Sequence, residues 1–278
     1  MSINNNTLLA PIIYLHFPYI LYYNLYYVLY NNFKGGINLK RYLNRNVLKY
    51  IAIVAMFLDH IAMFFVSKTD SSLLYSVLRF AGRLTAPIMC FFIAEGFYYT
   101  HSRKKYGERL ALFAVISQFA YTLAHHKTLL TSNLFTDWNV IFTLFIGFLV
   151  LVCYEKISNP ILKWTSIVLL IMLSSMGDWG IIAPVFVLVF YAFRDNIQAK
   201  LICFSLASGA EVLSDVAFMI SKHRPWYGEI WQAGIFLIIP LQIMYNGQKG
   251  SSSQFNKWFF YIFYPLHLLI FGLIEIYA

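Results

Sequence analysis

Apolar residues come in long blocks broken by short polar stretches, and the blocks approach or reach the about 20 residues that a helix needs to cross a bilayer. The first well-marked block is Lys49 to Val66. Others follow at Leu78–Thr100, Arg109–Ala124, Asn139–Tyr154, Ile161–Met176, Trp179–Phe193, Leu201–Ile220, Trp231–Tyr245 and Lys257–Tyr277, which predicts nine spans. Upstream, Leu8 to Phe33 is a Tyr-rich apolar run with Pro11 and Pro18 in its first half and Lys34-Gly35-Gly36 behind it. It reads as a candidate tenth span or a peripheral segment. Residues 1–45 are therefore set apart as an N-terminal extension from a single domain over residues 46–278.

Composition fixes the setting. With 60% hydrophobic and 12% charged residues, and a mean hydropathy of +0.63, the chain is too apolar for a soluble domain. The predicted fold is an all-α, polytopic integral membrane helix bundle in the cell membrane, with the bilayer as its surroundings. The net charge of +9 belongs to alternate loops. Lys40, Arg41, Arg45, Lys49, Arg103, Lys104, Lys105, Arg109, Lys156, Lys163, Arg194, Lys200, Lys249 and Lys257 fall on one side, and Lys68, Lys127, Lys222 and Arg224 on the other, with Arg79 at a helix mouth. The richer side is expected in the cytoplasm, so nucleic acid is not an expected partner. No cleavable signal peptide is evident, and the first spans are expected to direct insertion. Cys90, Cys153 and Cys203 sit inside apolar blocks without metal-ligand spacing and read as core residues.

The polar groups inside these blocks are the candidate chemistry, because an ionisable side chain in hydrocarbon costs about 2.5 kcal/mol or more. Asp59 and His60 are adjacent in the first block and point about 100° apart on a helix, so each needs its own partner. Arg83, from the antiparallel second block, is expected at a similar depth and is the first candidate to pair with Asp59. His60 can be a general base, a metal ligand or a core histidine. A second intramembrane histidine, His267, follows Pro265 in the last block. No HExxH-type pair is present, so no metal site is expected. Glu95 lies near the basic end of the second block. Glu211 and Asp215 are spaced i,i+4 and share a helix face, as expected for a proton path, a cationic substrate site or a structural pairing with Lys222 or Arg224. Asn139 and Asp178 mark polar helix ends.

Taken together, several stretches resemble the TraX family, whose founding member is the F-pilin acetylase and which is grouped with acyltransferase-3-type membrane acyltransferases. The strings are LKYIAIVAMFLDHIAMFF (48–65), LRFAGRLTAPIMCFFIAEGFYYTHSRKKYGERLALFAVISQ (78–118), WNVIFTLFIGFL (138–149), GDWGIIAPVFVLVFY (177–191), PLQIMYNGQKG (240–250) and WFFYIFYPLHLLIFGL (258–273). The resemblance implies transfer of an acetyl group from cytoplasmic acetyl-CoA, a co-substrate and not a tightly bound cofactor, to a peptide amine or to a lipid or glycan hydroxyl. It also implies His60 as general base, assisted by Asp59, Arg83 and Glu95. The related acyltransferases carry an Arg and a His separated by ten residues, and here Lys49 stands in the Arg position before His60. Lys49, Arg103, Lys104, Lys105, Tyr106 and Arg109 are then the expected donor-binding groups. Asn139, Asp178, Glu211, Asp215 and His267 remain as further pocket residues. The rival class is a proton-coupled transporter relaying protons through Asp59, Glu211, Asp215 and His267.

Overall fold

The computed structural model describes residues 41–66, 72–129, 131–250 and 253–277; the Leu8–Phe33 run lies outside them. Among the described residues the chain is helical, and its extended pairing is confined to isolated bridges at Leu43 with Tyr245 and Trp138 with Gly177. The elements in order are α1 (Arg45–Phe65), α2 (Ser72–Gly82), α3 (Thr85–Tyr99), α4 (Arg103–His126), α5 (Val140–Lys156), α6 (Pro160–Ser174), α7 (Ile182–Ala192), α8 (Ile197–Ser221), a 3₁₀ stretch (Trp226–Leu237) running into α9 (Ile238–Met244), and α10 (Gln254–Tyr277).

Short polar residues start most of these helices. Asn44, Ser102, Asn139, Asn159 and Asn196 each accept a backbone N–H from the first turn of α1, α4, α5, α6 and α8, which satisfies donors that a helix start leaves open. Ser102 sets one boundary that differs from expectation. The basic stretch from Arg103 to Arg109, read as a loop, forms the first two turns of α4, because Ser102 Oγ accepts Lys105 N–H at 3.3 Å.

The second block also differs. It is two helices, α2 and α3, separated at Arg83 and Leu84. Pro87 has no N–H to give the Arg83 carbonyl four residues back, so the α ladder stops there and restarts with the proline in the first turn of α3. The block Trp231–Tyr245 is likewise a 3₁₀ stretch followed by a short α-helix, with Gly228 and Gly234 weakening the α alternative and Pro240 removing another donor.

Four segments are long and apolar enough to cross a membrane: Arg45–Phe65, Leu73–Tyr99, Ile197–Ser221 and Trp258–Tyr277. The 15-residue α6 and 11-residue α7 are apolar but shorter. One core joins α1, α3, α5, α7, α8 and α9 around Phe91, Phe97, Phe148, Phe186, Phe190 and Phe204. A second lies where α1, α4 and α10 meet, around Met56, Phe113, Tyr121, Tyr264 and Leu268. A small third core of Ala62, Tyr75 and Trp231 closes the far end of α1 against α2 and the 3₁₀ stretch. Asp59 and His60 stand where these cores meet.

Candidate functional site

The two adjacent residues of α1 lead to two different clusters. Asp59 faces α2, where Arg79 Nη1 donates to its Oδ2 at 2.8 Å and Arg83 Nη2 donates to the same oxygen at 3.3 Å. All three side chains are largely buried, with 11–14% of their surface open. The expected Asp59–Arg83 pair is therefore present, but Arg79 is the closer partner. Arg79, expected from the sequence at the mouth of its helix, lies one turn before Arg83 on the same face, and that spacing is the signal for it. Trp231 covers both guanidiniums, its ring 4.3 Å from Arg79 Cζ and 4.8 Å from Arg83 Cζ. Arg83 also lies 4.8 Å from the Trp179 ring and donates to Gln232 Oε1 at 3.3 Å. Close approach of α1 and α2 depends on Gly82, where a Cβ would run into the Asp59 side chain.

His60 turns the other way, towards α10 and not towards the second block. Its Nδ1 lies 2.9 Å from His267 Nε2, and His267 Nδ1 lies 2.7 Å from the Phe263 carbonyl one turn back in α10. The rings are walled by Phe64, Phe263, Tyr264 and Phe271. His60 is 9% exposed and His267 4%, so water does not compete for these contacts. Beyond Phe64 lies His125 of α4, whose Nδ1 bonds the Tyr121 carbonyl at 3.0 Å.

A cavity of about 390 Å³ opens beside the ion cluster, lined by Arg83, Asp178, Trp179, Glu211 and Gln232 among others. Asp178, in the turn between α6 and α7, is exposed where it lines this cavity. Its depth among protein atoms still pushes its carboxyl up from the ordinary range, against the pull of the Arg83 guanidinium. Glu211 feels the charges of Asp215 and Arg83, and Asp215 those of Glu229 and Arg83; among the described residues neither forms an ion pair with Lys222 or Arg224. Asp215 Oδ2 is buried without a hydrogen-bond partner among the described residues. Asn139, by contrast, is fully used. It caps α5 through Ile141 N–H at 2.9 Å and donates to the Ala114 carbonyl and Gln118 Oε1, both at 2.8 Å.

The remaining candidates gather at the opposite end of the bundle. Glu95 Oε2 accepts from Tyr245 Oη at 3.2 Å and faces Arg45 Nη2 at 3.6 Å. Arg45 starts α1, fifteen residues and so about 22 Å before His60, and Glu95 is not brought to the histidines. Lys49 lies between the rings of Phe260, at 4.6 Å, and Phe92, at 5.6 Å. Arg103 stacks 4.0 Å from the Phe97 ring, Lys104 and Lys105 are exposed, and Arg109 lies 5.9 Å from the Tyr106 ring. Thus the donor-binding candidates share one end, and Asp59, His60, Arg83 and His267 the other half.

This arrangement can be set beside known proteins. The model of the family described as TraX protein matches residues 44–275. The chain belongs to the TraX family. It is similar to the probable fimbrial assembly protein FimC, serogroup H1, of Dichelobacter nodosus, with 35% identity over 80% of this chain and 92% of that protein. It is also similar to the uncharacterized protein RP591 of Rickettsia prowazekii (strain Madrid E), with 26% identity over 58% of this chain and 60% of that protein. No solved structure matches the chain. Family membership and the four long apolar helices make it a membrane protein of a family whose relatives include one named for fimbrial assembly.

Proposed function

We propose that this TraX protein is a multi-pass acetyltransferase of the cell membrane. It moves an acetyl group from cytoplasmic acetyl-CoA to an amine of a membrane or exported peptide, with His60 as general base. The observation that carries the reading is the buried His60–His267 pair set beside the Asp59–Arg79–Arg83 cluster, in a chain of this family. An apolar box without a carboxylate keeps the imidazole neutral at rest, with a lone pair free to take the proton that the attacking nitrogen sheds as the C–N bond forms.

In this scheme the acceptor enters the cavity as an ammonium and meets Asp178 and Glu211; His60 does not line that cavity, so the acceptor nitrogen moves past Asp59 and Arg83 to the neighbouring face of α1 before the chemistry. One ammonium proton is given up to the Glu211 carboxylate and from there to water. As the amine nitrogen attacks the thioester carbonyl and the C–N bond forms, the oxyanion is held by Arg83 N–H groups not taken by Asp59 or Gln232, and His60 takes the second proton from that nitrogen. The C–S bond breaks and the CoA thiolate leaves with the proton from His60. An oxyanion donor of this kind contributes about 3 kcal/mol. At the other end, the start of α4 joins open backbone N–H groups to Arg103, Lys104 and Lys105, which suits the phosphates of CoA. Nine crossings, with the Arg45 end of α1 in the cytoplasm, put that anion site on the donor's side, and the pantetheine arm then reaches inward along α1 past Lys49.

The test is calorimetric binding of acetyl-CoA to the protein in detergent, with release of free CoA thiol followed over time, on the wild type and on His60→Ala. Binding by both, with slow thiol release only from the wild type, is expected. Folded protein that binds no donor at millimolar concentration would overturn the assignment and bring the proton-coupled transporter forward.

A further inference from the structure

Two hydrogen bonds in series determine where the protons on the histidine pair must be. The Phe263 carbonyl can only accept, so the His267 nitrogen 2.7 Å away, Nδ1, carries hydrogen. A neutral His267 then presents a lone pair at Nε2. The group opposite it, His60 Nδ1 at 2.9 Å, must be the donor. With its single hydrogen on Nδ1, a neutral His60 is left with a bare lone pair on Nε2. No carboxylate takes part: Asp59 is held by Arg79 and Arg83 on another face of α1, and the histidine box is aromatic. The Met56 carbonyl, one turn back in α1, also accepts from the His60 ring and so favours a ring N–H as well, and a His267→Leu variant separates its share from that of His267. His125, the nearest further imidazole, spends its Nδ1 on the Tyr121 carbonyl.

We propose that His267 is the positioning residue of the site: through Phe263 it fixes His60 as the Nδ1–H tautomer and thereby makes His60 Nε2 the atom that accepts the proton. The assignment of a base role to Nε2 rests on the acetyltransfer reading; the tautomer itself does not. When Nε2 takes a proton, the Nδ1–H bond to His267 becomes charge-assisted and shorter, so His267 holds the ring in place and supports the imidazolium as it forms. The logic is that of an orienting group behind a catalytic histidine, filled here by a second neutral imidazole in an apolar box where a carboxylate would add a buried charge.

The experiment is nitrogen-15 NMR of histidine-labelled protein in lipid bilayers at neutral pH. The chain has 7 histidines, and the His60 signals are identified by their loss in His60→Gln. The expected result is a His60 ring protonated at Nδ1 and bare at Nε2, coupled across a hydrogen bond to His267 Nε2. In His267→Gln, whose side-chain oxygen can accept from Nδ1, the tautomer is retained; in His267→Leu it is lost. Thiol release should fall roughly a hundredfold or more in His267→Leu and recover most of that in His267→Gln. A wild-type His60 protonated at Nε2, or a His267→Leu protein with unchanged His60 signals, overturns the proposal, and the wild-type measurement needs no variant to fold. Because the spectra need no substrate, a protein that fails to bind acetyl-CoA removes the catalytic role while leaving the tautomer to stand or fall separately.

Discussion

The Asp59 carboxylate is the counter-charge for two guanidiniums that share one of its oxygens, and Trp231 lies over both. Three buried charges with net +1 are tolerable only while the carboxylate is there. Asp59→Asn leaves two like charges facing each other in a site with little water, and the loss should reach about 3 kcal/mol or more. Arg79→Gln should cost less, because Arg83 still pairs with the carboxylate. Denaturation in detergent, compared across the two variants, checks the order; an Asp59→Asn protein as stable as Arg79→Gln would mean that the cluster is not held by its charges. This part of the site was half legible. Asp59, His60 and Arg83 announce themselves as ionisable groups in apolar blocks. The partner of His60 did not, because pairing α1 with α10 joins residues 207 positions apart, and no local periodicity encodes which helix packs against which.

Helices start where the sequence says they should and break where it says so less loudly. The asparagines and serine at the helix starts are legible because capping is a property of one residue and its next three. The division of the second block into α2 and α3 was missed because its apolar pattern continues through Arg83, and only Pro87 marks the interruption. That break matters for the site, since it ends α2 at Gly82 and lets Asp59 approach. The 3₁₀ stretch has a comparable contact, for a Cβ on Gly234 would collide with the Phe80 carbonyl oxygen of α2. Backbone cannot swing aside as a side chain does, so Gly234→Ala must push Trp231 and Gln232 away from Arg79 and Arg83. A stability loss of about 1–3 kcal/mol is expected, together with a fall in thiol release out of proportion to it. Unchanged melting and turnover would show that the stretch docks loosely.

At the scale of the whole molecule, charge distribution and helix order make one argument about sidedness. Following the chain from Arg45, helix ends alternate, and Arg103, Lys104, Lys105, Lys156, Lys163, Arg194, Lys200 and Lys249 all return to the Arg45 end, against Lys127, Lys222 and Arg224 at the Asp59 end. A bias of this size orients a membrane protein with its basic end in the cytoplasm. The all-helical membrane character was legible because composition alone forces it, whereas the depth of the site depends on the packing of separate blocks. The proposed reaction needs this orientation, since acetyl-CoA must meet Arg103 and Lys49 before its thioester meets His60. With Cys90, Cys153 and Cys203 replaced by serine, Lys104→Cys and Lys222→Cys each place a single thiol at an exposed position on opposite ends. An impermeant maleimide should label the Lys222→Cys protein in intact cells and the Lys104→Cys protein only after the membrane is opened. The reverse pattern would put the basic end outside, leave cytoplasmic acetyl-CoA facing the Asp59 end, and require a different path to the histidines.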